Sequence, residues 1–136
     1  MSSKEAIKLI SMILFHHTDL DGYKGICRDG KIKESLSDGA DAAFGQGVYL
    51  TSLGPEWSAN EVIINNWGDA QVGISQYVSK VQFIIQVSVQ EQNVIKAPDG
   101  RDIYIHKGEI PKRAIMRVYR RDDMGNACSF QSRSSS

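Results

Sequence analysis

Two adjacent histidines close an apolar run, Ile13-Leu14-Phe15-His16-His17-Thr18. The chain holds 3 histidines in all. Two of them therefore stand at one strand mouth, and imidazole is the side chain best able to donate, accept or carry a proton near neutral pH. If the run is a strand, alternation sends one ring into the protein or a cleft and the other away. A second candidate is Phe44-Gly45-Gln46-Gly47-Val48-Tyr49-Leu50-Thr51. Glycines at 45 and 47 let the backbone turn sharply or pass close to a ligand ahead of Tyr49. No third glycine opens a helix, so this is not a dinucleotide fingerprint. The third candidate is Arg101-Asp102-Ile103-Tyr104-Ile105. Aspartate is a poor strand former, yet Asp102 heads an alternating segment just after a turn. There it either completes the turn or holds a carboxylate at a cleft mouth. Taken singly, each candidate has a blander and commoner reading: one packed and one wet histidine, a hairpin before a core tyrosine, and a turn aspartate.

The elements that must position these residues follow from periodicity and turn chemistry. Ser3 to Ile10 has weak helical spacing, and Ile13 to His17 reads as a short buried strand. Thr18 or Asp19 can cap a helix reaching about Arg28, with Tyr23 and Ile26 on one face and Asp29-Gly30 as its stop. Ile32 begins a brief strand. Residues 38–46 read as loop and feed a strand at Gly47–Thr51. Pro55 is expected to start a second helix running to Trp67, with Trp57, Val62, Ile63 and Trp67 buried. Gly73–Lys80 is expected to hold a third helical turn. Val81–Val89 alternates and is β-branched and aromatic, the strongest strand signal in the chain. Gln92–Ala97 continues extended, Pro98-Asp99-Gly100 turns, Asp102–Ile105 alternates, and Pro111 ends a link. Ala114–Tyr119 is read as the last strand. Short helices early and strands late predict an α+β domain with one curved or split antiparallel sheet. Residues 1–121 are read as a single domain and 122–136 as a polar, flexible tail.

Bulk properties narrow the function. The chain has 136 residues, 16 basic and 16 acidic, for a net charge of zero. No overall basic field pulls it onto nucleic acid or an anionic membrane. A run at Lys112, Arg113, Arg117, Arg120 and Arg121 reads as a solvated strand face. The cysteines, Cys27 and Cys128, lack metal-site spacing and read as free thiols of a reducing compartment. The apolar stretch Ala6–Phe15 is interrupted by Lys8, lacks a cleavage site and is too short to span a bilayer, so it reads as folded protein.

Order and company strengthen the three motifs. LFHHT, FGQGVYLT and RDIYI, in that order, resemble the ADP-ribosyltransferases with a His-Tyr-Asp signature, known as toxin domains, and more remotely the poly(ADP-ribose) polymerases. The resemblance spans roughly residues 13 to 119. It places His16, two before Thr18, at the histidine position, Tyr49 at the tyrosine position and Asp102 at the acidic position. The polymerases carry Glu at that third site. They also carry a second tyrosine on the helix after the Gly-x-Gly motif, where this chain has Ser58-Ala59-Asn60-Glu61. Trp57 is the ring nearest that gap.

The resemblance implies an ADP-ribosyltransferase-like core, NAD as substrate and no metal. Asp102 would stabilise an oxocarbenium-like ribose as nicotinamide departs. His16, with Thr18, would hold the adenosine-side ribose. The backbone at His17 would read the carboxamide, Tyr49 would stack on the nicotinamide, and Gly45 and Gly47 would let the chain pass close to the ligand. The acceptor is expected to be protein rather than nucleic acid, and the chain a monomer acting in the cytoplasm, its own or that of a target cell. Three alternatives stay open: an NAD glycohydrolase with water as acceptor, a non-catalytic NAD or ADP-ribose binding module, and a small α+β interaction domain with no ligand. Glu109 is the candidate acceptor-side residue, though it reads better as a surface charge.

Overall fold

The computed structural model of the chain describes residues 10–35 and 44–122, and the backbone of 127–130. The helical spacing read at 3–9, the loop at 38–43 and, of the tail read at 122–136, residues 123–126 and 131–136 lie outside the described residues, while 127–130 form a strand rather than tail.

Strand β1 (Ser11–Thr18) pairs antiparallel along its whole length with β4 (Phe83–Gln90). β8 (Ile115–Arg121) flanks β4 with a bulge at Gln86/Val87, and β9 (Ala127–Phe130) flanks β8, giving the order β1-β4-β8-β9. A second sheet, β3-β6-β5, is built from β3 (Val48–Leu50), β6 (Tyr104–His106) and β5 (Val94–Lys96). β2 (Lys31–Ile32) and β7 (Ile110–Pro111) form a small ladder beside them. A single-residue bridge joins the two larger sheets: Phe15 N–H donates to Thr51 O at 2.8 Å, and Thr51 N–H to Phe15 O at 2.9 Å. This is the α+β, split antiparallel architecture expected from the pattern.

The main core fills the space between the sheets. Leu14, Ile85 and Val87 meet Val48, Leu50, Ile32 and Ile110, each at most 2 % exposed. Burial of one such side chain is favourable by roughly 1.5–3 kcal/mol. Helix α1 (Leu20–Asp29) docks here through Tyr23 and Ile26, and the Tyr23 ring stacks on Phe83 at 4.6 Å. Its caps are the expected ones: Asp19 accepts from Gly22 N–H at 2.8 Å, and Gly30 closes the helix in the left-handed region. A second core gathers Val62, Ile63 and Val81 between helix α2 (Ala59–Trp67), helix α3 (Ser75–Ser79) and the start of β4.

Several boundaries differ from expectation. α2 begins at Ala59, not Pro55, because Ser58 and Glu61 form a capping box. Trp57 therefore precedes the helix and is 39 % exposed, not buried. β6 starts two residues after Asp102. Residues 91–93 make a 3-10 turn before β5, and Pro111 lies within β7 rather than at the end of a link. β8 is followed by β9, so Ala114–Tyr119 is not the last strand. Lys112, Arg113, Arg117 and Arg120 are solvated, but Arg121 is 4 % exposed and its Nε donates to Val81 O at 3.0 Å. Glu109 is exposed and pairs with Lys31 at 3.1 Å.

The Gly-x-Gly turn has a structural cause. Gly45 takes a φ of 101°, open to glycine. Gly47 is buried where β6 crosses it, and a Cβ there would lie 2.9 Å from His106 O. Gly47→Ala should lower stability by roughly 1–3 kcal/mol, read as a shifted urea midpoint with unchanged slope. An unshifted midpoint would show that β6 can yield.

β1 runs between the two cores, and alternation puts its histidines on opposite sides. His17 is not wet. Its Nε2–H donates to Leu53 O at 2.8 Å beside the second core, which leaves Nδ1 a buried lone pair with no hydrogen-bond partner among the described residues. Burial lowers its pKa to about 3, partly opposed by the Leu53 carbonyl and reinforced by the charges of Arg121 and His16. Unfolded histidine takes its proton near 6.5, so between roughly pH 3 and 6.5 the unfolded chain holds more protons and stability rises with pH. His17→Gln should flatten urea-midpoint stability across that window, removing a slope of up to about 1.4 kcal/mol per pH unit. The same slope in the variant would mean that His17 is already charged in the folded protein.

Candidate active site

A cleft of about 330 Å³ opens where the ends of β1 and β3 meet. Its walls include Phe15, His16, His17 and Thr18 from β1, and Tyr49, Leu50 and Thr51 from β3 and the residue after it. Phe44, Trp67, Arg101 and Ile103 also line it.

The Phe15–Thr51 bridge aligns the first two candidate residues. His16 lies one residue beyond it and Tyr49 two before it, and His16 Nδ1–H donates to Tyr49 O at 3.0 Å. A carbonyl can only accept, so the proton sits on Nδ1 and Nε2 carries a lone pair. Burial depresses the His16 pKa, outweighing the Tyr49 carbonyl that favours the charged form. Near neutral pH His16 is an uncharged acceptor, suited to a hydroxyl and unsuited to an anion.

Tyr49 is held at both ends. Its hydroxyl donates to Gly45 O at 2.7 Å and accepts from Phe44 N–H at 2.7 Å. The phenol oxygen is committed to the glycine loop, so what it offers the cleft is a ring fixed in place. Phe44 and Tyr49 also pack against the small core of Ala97, Ile103 and Ile105.

Asp102 is not among the residues that line the cleft, although Arg101 and Ile103 on either side of it are. One carboxylate oxygen accepts from Thr51 Oγ1–H at 3.1 Å and Ser52 N–H at 2.8 Å, and the other from the Ser52 hydroxyl. Its backbone N–H donates to Asn65 Oδ1 at 3.2 Å, and its carbonyl accepts from Asn65 Nδ2 at 2.9 Å. Arg101 turns elsewhere: Nε to Asp99 at 2.7 Å, Nη1 to Asn66 O at 3.0 Å, and its guanidinium over the Phe44 ring at 5.4 Å. Thus β3 and its C-terminal extension connect all three: the Tyr49 carbonyl holds His16, and Thr51 and Ser52 hold Asp102.

Register gives His17 a second feature. Phe15 directs its backbone groups away from β4 toward β3, so its pair with Gln86 is not hydrogen-bonded. In an antiparallel ladder this alternates. The N–H and C=O of His17 therefore face the same outer edge as those of Phe15, on the cleft side.

Thr18 lines the cleft, as do Lys33, Lys80 and Asp19. Lys33 also pairs with Asp29 at 3.3 Å, and Lys80 sits 5.7 Å from the ring centres of both Trp67 and Tyr77. Gly45, Gly47 and Trp57 are not among the lining residues. The glycines serve the loop and the β6 crossing, and the tryptophan in the wall is Trp67. Sequence reasoning did not single out the lining residues Thr51, Trp67, Arg101, Lys33 and Lys80, nor Ser52 and Asn65, which bond Asp102. Thr51 and Arg101 lie inside the second and third motifs, whereas nothing in its surroundings marks Asn65 as different from Asn60 or Asn66.

No curated protein and no solved structure matches the chain. Residues 14–113 match the family described as HYD1 signature containing ADP-ribosyltransferase. That span covers all three motifs and most of the chain, and the protein belongs to this toxin-type ADP-ribosyltransferase family.

Proposed function

We propose that the chain binds NAD in the β1–β3 cleft, breaks the nicotinamide–ribose bond and passes ADP-ribose to an acceptor. What supports the reading is that β3 and the two residues after it bond both distant candidates, the Tyr49 carbonyl the His16 ring and Thr51 and Ser52 the Asp102 carboxylate, although 86 positions separate His16 from Asp102. A cleft of about 330 Å³ lies within the roughly 300–1,000 Å³ usual for ligand sites and suits the nicotinamide–ribose end of the dinucleotide.

Each part of NAD finds matching chemistry. The outward N–H and C=O of His17 offer the paired donor and acceptor that a carboxamide needs. Tyr49 supplies a fixed ring face, and Trp67 or Phe44, rather than Trp57, supplies the facing ring. The His16 Nε2 lone pair accepts from a ribose hydroxyl, with Thr18 beside it. Lys33 and Lys80 bring positive charge for the diphosphate.

In the reaction the glycosidic bond leaves its electron pair on nicotinamide, and positive charge develops on the ribose. Asp102, anchored by Thr51 and Ser52, stabilises that charge through space. An acceptor nucleophile then gives an electron pair to the anomeric carbon and loses its proton. We assign the acceptor to a protein of a target cell, with the chain working as a monomer in that cell's cytoplasm.

Asp102→Ala should keep the fold and slow nicotinamide release by about 100- to 1000-fold, the usual cost of one such electrostatic contact. Chromatography of released nicotinamide checks it, and wild-type release would refute the assignment. With labelled NAD, label on protein marks transfer, whereas label only in free ADP-ribose marks hydrolysis.

His16→Ala should weaken NAD binding in calorimetry more than His17→Ala, because only the His16 ring offers its lone pair to the cleft. Equal losses would mean that the two histidines share the work.

A further inference from the structure

We propose that Asn65 is the positioning residue for Asp102, acting through the backbone of that residue rather than on the substrate. The inference rests on the reading of Asp102 as the charge-stabilising group. Asp102 lies outside the regular ladder: the turn at Pro98–Gly100 precedes it and β6 begins only at Tyr104. The neighbouring backbone bonds run past it. Ile103 N–H bonds Arg101 O at 2.8 Å and Ala97 N–H bonds Ile103 O at 2.8 Å, and both bypass Asp102. A residue so placed has no strand to fix its orientation. One primary amide supplies what a strand would, since Asn65 Oδ1 accepts from Asp102 N–H at 3.2 Å and Asn65 Nδ2 donates to Asp102 O at 2.9 Å. A primary amide carries a donor and an acceptor side by side in one plane, as this needs.

The clamp stands on a rigid base. Val62 and Ile63, in the same helix, are 0 % exposed, and the capping box fixes the helix start. The grip is returned by Arg101, whose Nη1 donates to Asn65 O at 3.3 Å and Asn66 O at 3.0 Å, near the helix end where carbonyls lack intrahelical partners. Asn65 therefore sets the backbone of Asp102 while Thr51 and Ser52 set its carboxylate. A displacement of about 1 Å at a reacting group can cost on the order of 100-fold in rate.

The test compares Asn65→Ala, Asp102→Asn and the double variant for nicotinamide release and for NAD binding by calorimetry. Asn65→Ala is expected to lower kcat by roughly 10- to 100-fold with the dissociation constant for NAD within about threefold of wild type. It should add nothing on the Asp102→Asn background, as residues acting as a unit do. A purely structural role would lower binding and catalysis together and would reduce the residual rate of the double variant as well. Should Asn65→Ala fail to fold, Asn65→Asp carries the test, because it keeps the acceptor for Asp102 N–H but sets a carboxylate oxygen, which cannot donate, against Asp102 O and so opens the clamp on that side. Wild-type kcat in the Asn65 variant beside an inactive Asp102→Asn would overturn the clamp alone. Wild-type kcat in Asp102→Asn would overturn the underlying reading of the site.

Discussion

The Phe15–Thr51 bridge is the constraint on which the rest of the site depends. β1 belongs to the four-stranded sheet and β3 to the three-stranded one, and these two hydrogen bonds, 2.8 and 2.9 Å long, lock them edge to edge. Every site residue is counted from that point: His16 one step beyond it, Tyr49 two before it, and Asp102 hung on the side chain of Thr51 itself. Side-chain direction alternates along a strand, so a slip of one residue would exchange the two histidines. Full pairing of β1 with β4 over residues 11–18 opposes such a slip. Gly54 protects the same point from the other side, since a Cβ there would lie 2.7 Å from the Phe15 ring.

Much of this is legible in the amino-acid sequence, and for physical reasons. Strand periodicity in Val81–Val89, the Asp19 and Gly30 caps and the Pro98-Asp99-Gly100 turn are local signals whose cause lies within a few residues. The three motifs point to the family even though each is ambiguous alone. What sequence reading misses is non-local or a contest between two local signals. Pro55 suggests a helix start, but the Ser58–Glu61 capping box satisfies two backbone donors at once and sets the start at Ala59. Arg121 looks like one more charge on a wet face, yet β8 carries it under the start of β4. Trp57 and Trp67 differ little in composition of surroundings, and only the path of the chain decides which ring reaches the cleft. The partners of Asp102 are of the same kind: Asn65 is 37 residues away and Thr51 is 51.

His16 and His17 show how one local sequence yields two uses. Both rings donate to a carbonyl, at Tyr49 and Leu53, and both are held neutral by burial. They differ in what the second nitrogen meets. For His17 it is a buried position with no hydrogen-bond partner among the described residues, which costs stability. For His16 it is the cleft that the residue lines. The difference arises from which side of β1 each ring leaves, while the His17 backbone still turns toward the cleft.

The proposed role of Asp102 makes a further demand that the surroundings meet. A carboxylate that must answer positive charge appearing on a ribose should not already be neutralised by a protein cation, because a salt bridge would spend in the ground state the field wanted in the transition state. The nearest cation in sequence is Arg101. Its guanidinium is engaged by the Asp99 carboxylate, the carbonyls of Asn65 and Asn66 and the Phe44 ring. The groups that do bind the Asp102 carboxylate are two hydroxyls and a backbone N–H, all uncharged. They fix its direction and leave its charge in place. Orientation without neutralisation is what electrostatic stabilisation of a short-lived cation requires, and here it follows from sending Arg101 toward the end of α2 while Thr51 and Ser52 turn toward Asp102.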